Sequence, residues 1–378
     1  MFRLLLILEL EITGWMRIKM SIGKSAERFG KKILAFILKI LIRSEEISPE
    51  KIIPEVVKRI LIVHQDRRIG NFILSTPLIE VTKLVFPNAE LDILAAKNLK
   101  VLCDDNPSLD SIYIFNHRGF IRNPFKLFKL ISSLRKNNYD LAIESSNPTG
   151  TSFLNGWITY LSKAKYKIGF NGGSGAIFTN VHIKPDRSKH YHLMKQELVN
   201  SFSKEKYELK PKIFSDLNET ELQKNTLKNK FNLKESEKII GLWIGARDKK
   251  KWDIENFRTL YQKIKLVTNL FPLIIFGLEE ENDYQSINKE EYNSLRFDDL
   301  SKLKTFISSC NIFVCGDTGP LHFSFALGVP TIGIFLQDNY GTYGYADGDM
   351  NFIIKPAQLD EMIEEILESV NRIKLKLK

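Results

Sequence analysis

From residue 59 onward, short apolar runs rich in β-branched residues alternate with longer stretches whose apolar positions recur at helical spacing. The runs are RILIV (59–63), LDILA (91–95), SIYIF (111–115), DLAIE (140–144) and YKIGF (166–170). Between the first two lies NFILSTPLIEVTKLVFP, an amphipathic helix pattern that stops at Pro87. The chain turns polar over 200–236, where Lys, Glu and Asn dominate, which predicts a linker with one exposed helix. A second series follows: KIIGLWIG (238–245), PLIIFG (272–277), NIFVCGD (311–317) and PTIGIF (330–335). DDLSKLKTFISSC and PLHFSFALG supply helices between them, and LDEMIEEILESVNRIKLKLK closes the chain as an amphipathic helix. Strands alternating with helices predict βαβ units and parallel sheets. The expected plan is an N-terminal extension (1–55), an α/β domain (56–205), a linker (206–236) and a second α/β domain with the C-terminal helix (237–378). Two Rossmann-like halves predict a cleft, with ligands at the carboxyl ends of the strands.

A length of 378 residues suits two domains, and 43% apolar with 26% charged residues is globular. The net charge of +10 attracts polyanions without choosing among them. No C2H2 spacing, RNP-like motif or recognition helix points to nucleic acid. Cys103, Cys310 and Cys315 show no CxxC spacing and read as buried, reduced thiols. MFRLLLILELEITGWM lacks a small-residue cleavage site, so it is not read as a secretory signal. The next segment, SAERFGKKILAFILKILIRS, has an apolar run too short to span a bilayer. Its basic, apolar-striped pattern fits either a membrane-surface helix or one packed on its own domain.

Every chemical motif falls just past a predicted strand. VCGDTGPLHFSFALGVPTIGIF runs from a strand into Gly316-Asp317-Thr318-Gly319 and a helix near Pro320. Proline suits the first helical turn, and the free N–H groups there would hold a phosphate, unless this is an ordinary capped turn. Asp317 is expected to cap or orient the turn, with Thr318 adding a hydroxyl. In GLWIGARDKKKWDIENFRTL the basic cluster Arg247, Lys249, Lys250, Lys251 precedes a helix capped by Asp253. A lysine there could stabilise a departing diphosphate, or the loop could simply be solvated. Glu279 and Glu280 in IIFGLEEEND could accept from ribose hydroxyls or start a solvated helix.

The order RILIVHQDRRIGNFILSTPLIEVTKLVFPNAELDIL, GLWIGARDKKKW, FDDLSKLKTFISSCNIFVCGDTGPLHFSFALGVPTIGIF resembles glycosyltransferase family 9, the family of the ADP-heptose:lipopolysaccharide heptosyltransferases. The resemblance covers residues 58 to about 345. It implies the GT-B fold: two Rossmann-like domains with parallel sheets facing across a cleft, acceptor on the first and nucleotide sugar on the second. It also implies an inverting transfer that needs no metal or other cofactor. Carried over, Lys250 matches a lysine that contacts phosphate or ribose. Asp317, Thr318 and Gly319, with Pro320 and Leu321 at the helix start, match the diphosphate turn. Glu279 or Glu280 matches a ribose-side acid, and His322 lies at a matching position.

The family's first turn reads Gly-Asp, the aspartate being the proposed base; here it reads Gly70-Asn71. An amide cannot serve as that base. Three explanations stay open: Asp66 in the same turn takes the proton, Glu144 at the end of DLAIE does, or Asn71 caps the helix while another group or water serves. The expected function is transfer of a heptose or related sugar from a nucleotide-diphosphate sugar to a lipopolysaccharide-type acceptor. The place expected is the inner face of the inner membrane, with the protein peripheral on anionic lipid. Alternatives are a weak or inactive family member that binds nucleotide sugar or glycan, and another GT-B enzyme such as a nucleotide-sugar epimerase. A Rossmann oxidoreductase is disfavoured, since no GxGxxG follows the first strand. KHYH (189–192) lacks companion ligands at metal spacing. RNPFKLFKLISSLRKNN fits either contact with lipid or phosphosugar, or a solvated helix with a buried Phe/Leu face. QDNYGTYGYADGD and FNGGSGAIF read as a donor-side and an acceptor-side loop.

Overall fold

The computed structural model describes residue 42, residues 45–281 apart from 146, 149 and 174, residue 285, and residues 291–377. The basic segment expected to form a helix within the N-terminal extension lies almost entirely outside the described residues.

Twelve strands are described: β1 Arg59–His64, β2 Glu90–Ala96, β3 Ser111–Phe115, β4 Leu141–Glu144, β5 Tyr166–Phe170, β6 Val181–Ile183, β7 Lys238–Trp243, β8 Leu270–Phe276, β9 Ser294–Arg296, β10 Ile312–Gly316, β11 Thr331–Ile334 and β12 Asn351–Ile354. The helices are α1 Ile69–Ile73, α2 Thr76–Val85, α3 His117–Arg122, α4 Pro124–Lys136, α5 Phe153–Leu161, α6 Tyr191–Asn200, α7 Leu217–Phe231, α8 Ile254–Val267, α9 Leu300–Ser309, α10 Gly319–Ala326, α11 Tyr340–Tyr343 and α12 Leu359–Lys376.

The chain divides into two units. One takes the chain through Arg67, Pro77–Lys100 and Pro107–Leu209; the other takes Arg68–Thr76, Val101–Asn106 and Lys210–Lys378. Each holds one six-stranded sheet, ordered β3-β2-β1-β4-β5-β6 in the first and β12-β11-β10-β7-β8-β9 in the second. Every pairing is parallel. Read from the other edge, the second order is that of the first, so both sheets are wound alike. The order reverses between β1 and β4 and between β7 and β10, which makes these the switch points where ligands of open α/β sheets bind.

The central strands are buried on both faces, which is why they read as unbroken apolar runs. In the first unit Leu61, Val63, Leu94, Ala142 and Ile158 pack with Leu127, Ile131 and Leu134 of α4. In the second, Ile240, Leu242, Val314 and Ile332 pack with Phe257, Leu260 and Ile264 of α8 and Met362, Ile366 and Val370 of α12. The three cysteines are free and buried, as their spacing predicts, and burial pushes the Cys310 and Cys315 thiols up.

One local departure from the predicted elements has a clear cause. The single helix expected after β1 is split into α1 and α2. Pro77 has no N–H to give Ile73, and the Thr76 hydroxyl donates to the Ile73 carbonyl instead at 2.8 Å. Ser75 likewise donates to the Asn71 carbonyl at 2.7 Å. In the second unit, Val101–Asn106 is held by Lys304, a nearly buried lysine of α9. Its ammonium donates to the Val101 carbonyl at 3.3 Å and pairs with Asp105 at 2.8 Å.

Candidate active site

In the second unit, β7 and β10 are hydrogen-bonded neighbours, Trp243 opposite Cys315. The residues just beyond their carboxyl ends meet. Lys250 sets its ammonium 2.5 Å from Oδ2 of Asp317, whose side chain is 5% exposed against 36% for the lysine. Asn339 donates to the same carboxylate oxygen at 2.8 Å. Asp317 is therefore not the cap of α10: Thr318 holds that position, without a capping hydrogen bond, and its hydroxyl donates to the Gly316 carbonyl at 3.3 Å. What Asp317 orients is Lys250. An ammonium has three N–H donors, so the pair leaves Lys250 with capacity for a phosphate oxygen. Gly319 opens α10 and Pro320 follows in its first turn, as expected.

His322, one turn further on, is 5% exposed, and its Nδ1 lies 3.1 Å from the Tyr345 hydroxyl. Tyr345 stacks on Phe325, rings parallel within 7° and 3.6 Å apart, and burial pushes its phenol up. Gly70 packs on the other side: a β-carbon there would stand 2.7 Å from His322 Cδ2. Gly319 in turn lies beside Ile69 and the Gly70 backbone. The short helix α1, numbered with the first half of the chain, thus seats on the start of α10.

The two acids past β8 are engaged. Glu279 forms a bidentate pair with Arg247, the closest contact 2.7 Å, out in solvent. Glu280 accepts from the Gly277 N–H at 2.9 Å. Its other oxygen approaches Gly245, where a β-carbon would sit 2.6 Å from Oε1 and 2.6 Å from the Trp243 indole nitrogen. Only a bare α-carbon fits there.

In the first unit the candidates surround the β1–β4 switch point. Asp66 follows β1, partly exposed, and its charge acts on His117. Burial holds His117 below the usual imidazole range, and its Nε2 lies 3.2 Å from the Gln65 carbonyl, to which the neutral ring donates. Glu144 ends β4, opposite Val63, and its side chain is fully buried. Beside it the Ser145 carbonyl accepts from Lys195 of α6 at 2.6 Å, and the Ser145 hydroxyl lies 3.1 Å from His64 Nδ1. Lys195 is itself 0% exposed.

Asn71 is not a cap. It is the third residue of α1, and Arg68 occupies the N-cap position. The sequence did not single out Asn339, Tyr345 or Lys195. The first two lie in the Tyr/Gly-rich loop, whose pattern points to the donor side without marking single residues, and Lys195 has the sequence context of an ordinary surface lysine. His190 and His192 face one another, Nδ1 to Nδ1, at 2.5 Å. Among the described residues no three His, Cys, Asp or Glu side chains form a metal-holding group.

The profile of glycosyltransferase family 9 (heptosyltransferase) matches residues 127–360, well over half of the chain. The chain belongs to glycosyltransferase family 9. It is a glycosyltransferase with the GT-B fold. Among solved structures, a family 9 glycosyl transferase from Veillonella parvula superposes with a TM-score of 0.65 at 18% identity, covering 83% of this chain and 89% of that one. The Escherichia coli heptosyltransferase WaaC with ADP gives 0.64 at 17%, covering 82% and 99%. Such identities speak for the fold alone. Lipopolysaccharide heptosyltransferase 3 of Escherichia coli K12 is 33% identical over 79 residues, or 20% of this chain and 22% of that protein. That similarity thus spans about a fifth of the curated relative's length.

Proposed function

We propose that this family 9 enzyme moves a heptose, from ADP-heptose, onto a lipopolysaccharide core-type acceptor, without metal and with inversion. The observation that carries the reading is the Lys250–Asp317 pair at the β7–β10 switch point, next to the start of α10. Family membership and the heptosyltransferases it resembles, one of them solved with ADP, support the sugar and the nucleotide. The second unit binds the donor: the N–H groups at the start of α10 and the Lys250 ammonium take the diphosphate. Glu280 and Glu279 lie beyond β8, on the ribose side.

The reaction balances simply. The acceptor hydroxyl oxygen attacks the anomeric carbon, the bond from that carbon to the phosphate oxygen breaks, and the nucleotide diphosphate leaves with the electron pair. Lys250 and the helix start offset the charge that grows on it. The hydroxyl proton goes to a carboxylate, and we assign that role to Asp66. It lies past β1 with solvent access, whereas Glu144 has a wholly buried side chain and a base must touch the hydroxyl it deprotonates. The enzyme works peripherally at the inner face of the inner membrane. Among the described residues no helix is long and apolar enough to cross one.

Asn71 in the family's aspartate position favours a second reading, a member that binds nucleotide sugar or glycan without turnover. Mass spectrometry of a de-acylated core oligosaccharide incubated with ADP-heptose separates the two. Wild type is expected to add one heptose mass, and Asp66→Asn to slow that gain by about 10² to 10⁴. Donor binding with no product on any acceptor would establish the second reading. Full activity in Asp66→Asn would remove Asp66 from the chemistry.

A further inference from the structure

The first unit carries an exposed aromatic and basic face that the site does not use. On α4, Leu127, Ile131 and Leu134 point into the core, three and four residues apart. The opposite side does not follow the expected burial of a Phe/Leu face: Phe125 is 82% exposed and Phe128 68%, neighbours at i and i+3. Ile121 at the end of α3 adds a third apolar side chain, 51% exposed. A soluble surface shows apolar side chains singly as a rule; three within eight residues mark an interaction site.

Charge identifies the partner. No acidic residue occurs between Asp110 and Asp140, and six basic ones do: Arg118, Arg122, Lys126, Lys129, Arg135 and Lys136. Arg118, Arg122, Lys126 and Lys129 are exposed, and none of the four is in an ion pair among the described residues. A second copy of the chain on the same face would set this charge against itself. Aromatic rings interleaved with unpaired cations on one helix face suit the boundary of an anionic bilayer. The rings sink below the headgroups while the long basic stems reach back to the phosphates.

We propose that the α3–α4 face docks the protein on an anionic lipid surface. The proposal deepens the peripheral membrane location given above by naming the surface, and it needs neither donor nor acceptor to be tested. Its two parts act together: apolar insertion by Phe125, Phe128 and Ile121, and attraction by the four exposed cations.

The test uses the full chain with Ile121→Cys carrying the environment-sensitive fluorophore NBD. The three native cysteines are buried and will not compete for label. On adding phosphatidylglycerol/phosphatidylcholine vesicles, emission should rise and shift to the blue. Pure phosphatidylcholine should give no change. The same label at Leu222→Cys, on the exposed side of α7, should stay silent. Lys126→Gln/Lys129→Gln should weaken vesicle partitioning about 25-fold, some fivefold per charge. Phe125→Ser/Phe128→Ser should abolish the blue shift, with an unchanged thermal midpoint showing that the fold is intact. A silent label at position 121 while the chain co-sediments with vesicles would overturn the proposal and place membrane contact elsewhere. So would an equal response to a single-stranded oligonucleotide, which would make the face a nucleic-acid site. Because no sugar is present, loss of the heptose reading leaves the result standing, and the reverse holds as well.

Discussion

Lys250 and Asp317 form one ion pair, Nζ to Oδ2 at 2.5 Å, although 66 residues separate them in sequence. Adjacent parallel strands bring them together, and the carboxylate is the more buried partner. Losing Lys250 therefore strands a buried charge, whereas neutralising both removes the conflict. Lys250→Met is expected to weaken ADP binding at least about tenfold, as for a lost charge-assisted contact. Asp317→Asn should do so through Lys250. In calorimetric ADP titrations the double variant should fall short of the sum by about 0.5–3 kcal/mol. Strict additivity would mean the two act separately.

Gly70 is a packing requirement. Its φ is not in the left-handed region, so alanine is allowed by the backbone, yet the added carbon would meet His322 at 2.7 Å. Gly70→Ala should cost about 1–3 kcal/mol in denaturant unfolding, in line with overpacked cores. It should also slow transfer, because His322 moves with the start of α10. Wild-type stability would show that α1 gives way freely.

Asn71 offers a reciprocal test of Asp66. If the acid was relocated within one turn, Asn71→Asp on the Asp66→Asn background should recover part of the lost rate. The same change in wild type should matter little. Transfer kinetics of the four proteins check this, and no recovery would place the proton's destination outside this turn.

Asp347 gives a pH signature away from the site. Burial raises its carboxyl, but hydrogen bonds from the Asn351 side chain and backbone and from the Met350 and Asp349 N–H groups outweigh that and hold it at about 2, below the ordinary 3.8. The folded form thus binds a proton less readily than the unfolded one. The resulting stability is present above 3.8 and is lost as pH falls through about 2. Compared by thermal unfolding, wild type should exceed Asp347→Asn at pH 6, with the gap closing in acid. A gap independent of pH would contradict the assignment.

The sequence made the interior of the fold legible and hid its margins. All nine predicted strands exist: eight lie inside their sheets, where burial demands an apolar run, and the edge strand SIYIF (β3) is legible through its β-branched and aromatic residues. The three that went unread, VHI (β6), SLR (β9) and NFII (β12), are each the outermost strand of a sheet. At three or four residues they are too short to show a periodic pattern, unlike the five-residue edge strand β3. The site divides in the same way. Lys250, Asp317 and Glu280 announce themselves by following strands. Asn339, Tyr345 and the seat of Gly70 on His322 depend on contacts between distant stretches, and no local pattern encodes those.

The nearly buried Lys304 bears on how such proteins can be recombined. The second unit is assembled from three stretches of chain, and Lys304 finds its partners, the Val101 carbonyl and Asp105, on the middle one, which ends more than a hundred residues before the main stretch begins at Lys210. A gene chimera joined once, at residue 210, would give this lysine another protein's segment to bury against, and α10 another protein's α1. Keeping the unit whole takes five junctions, after Arg67, Thr76, Lys100, Asn106 and Leu209. The second unit of this chain is therefore not inherited as a single cassette.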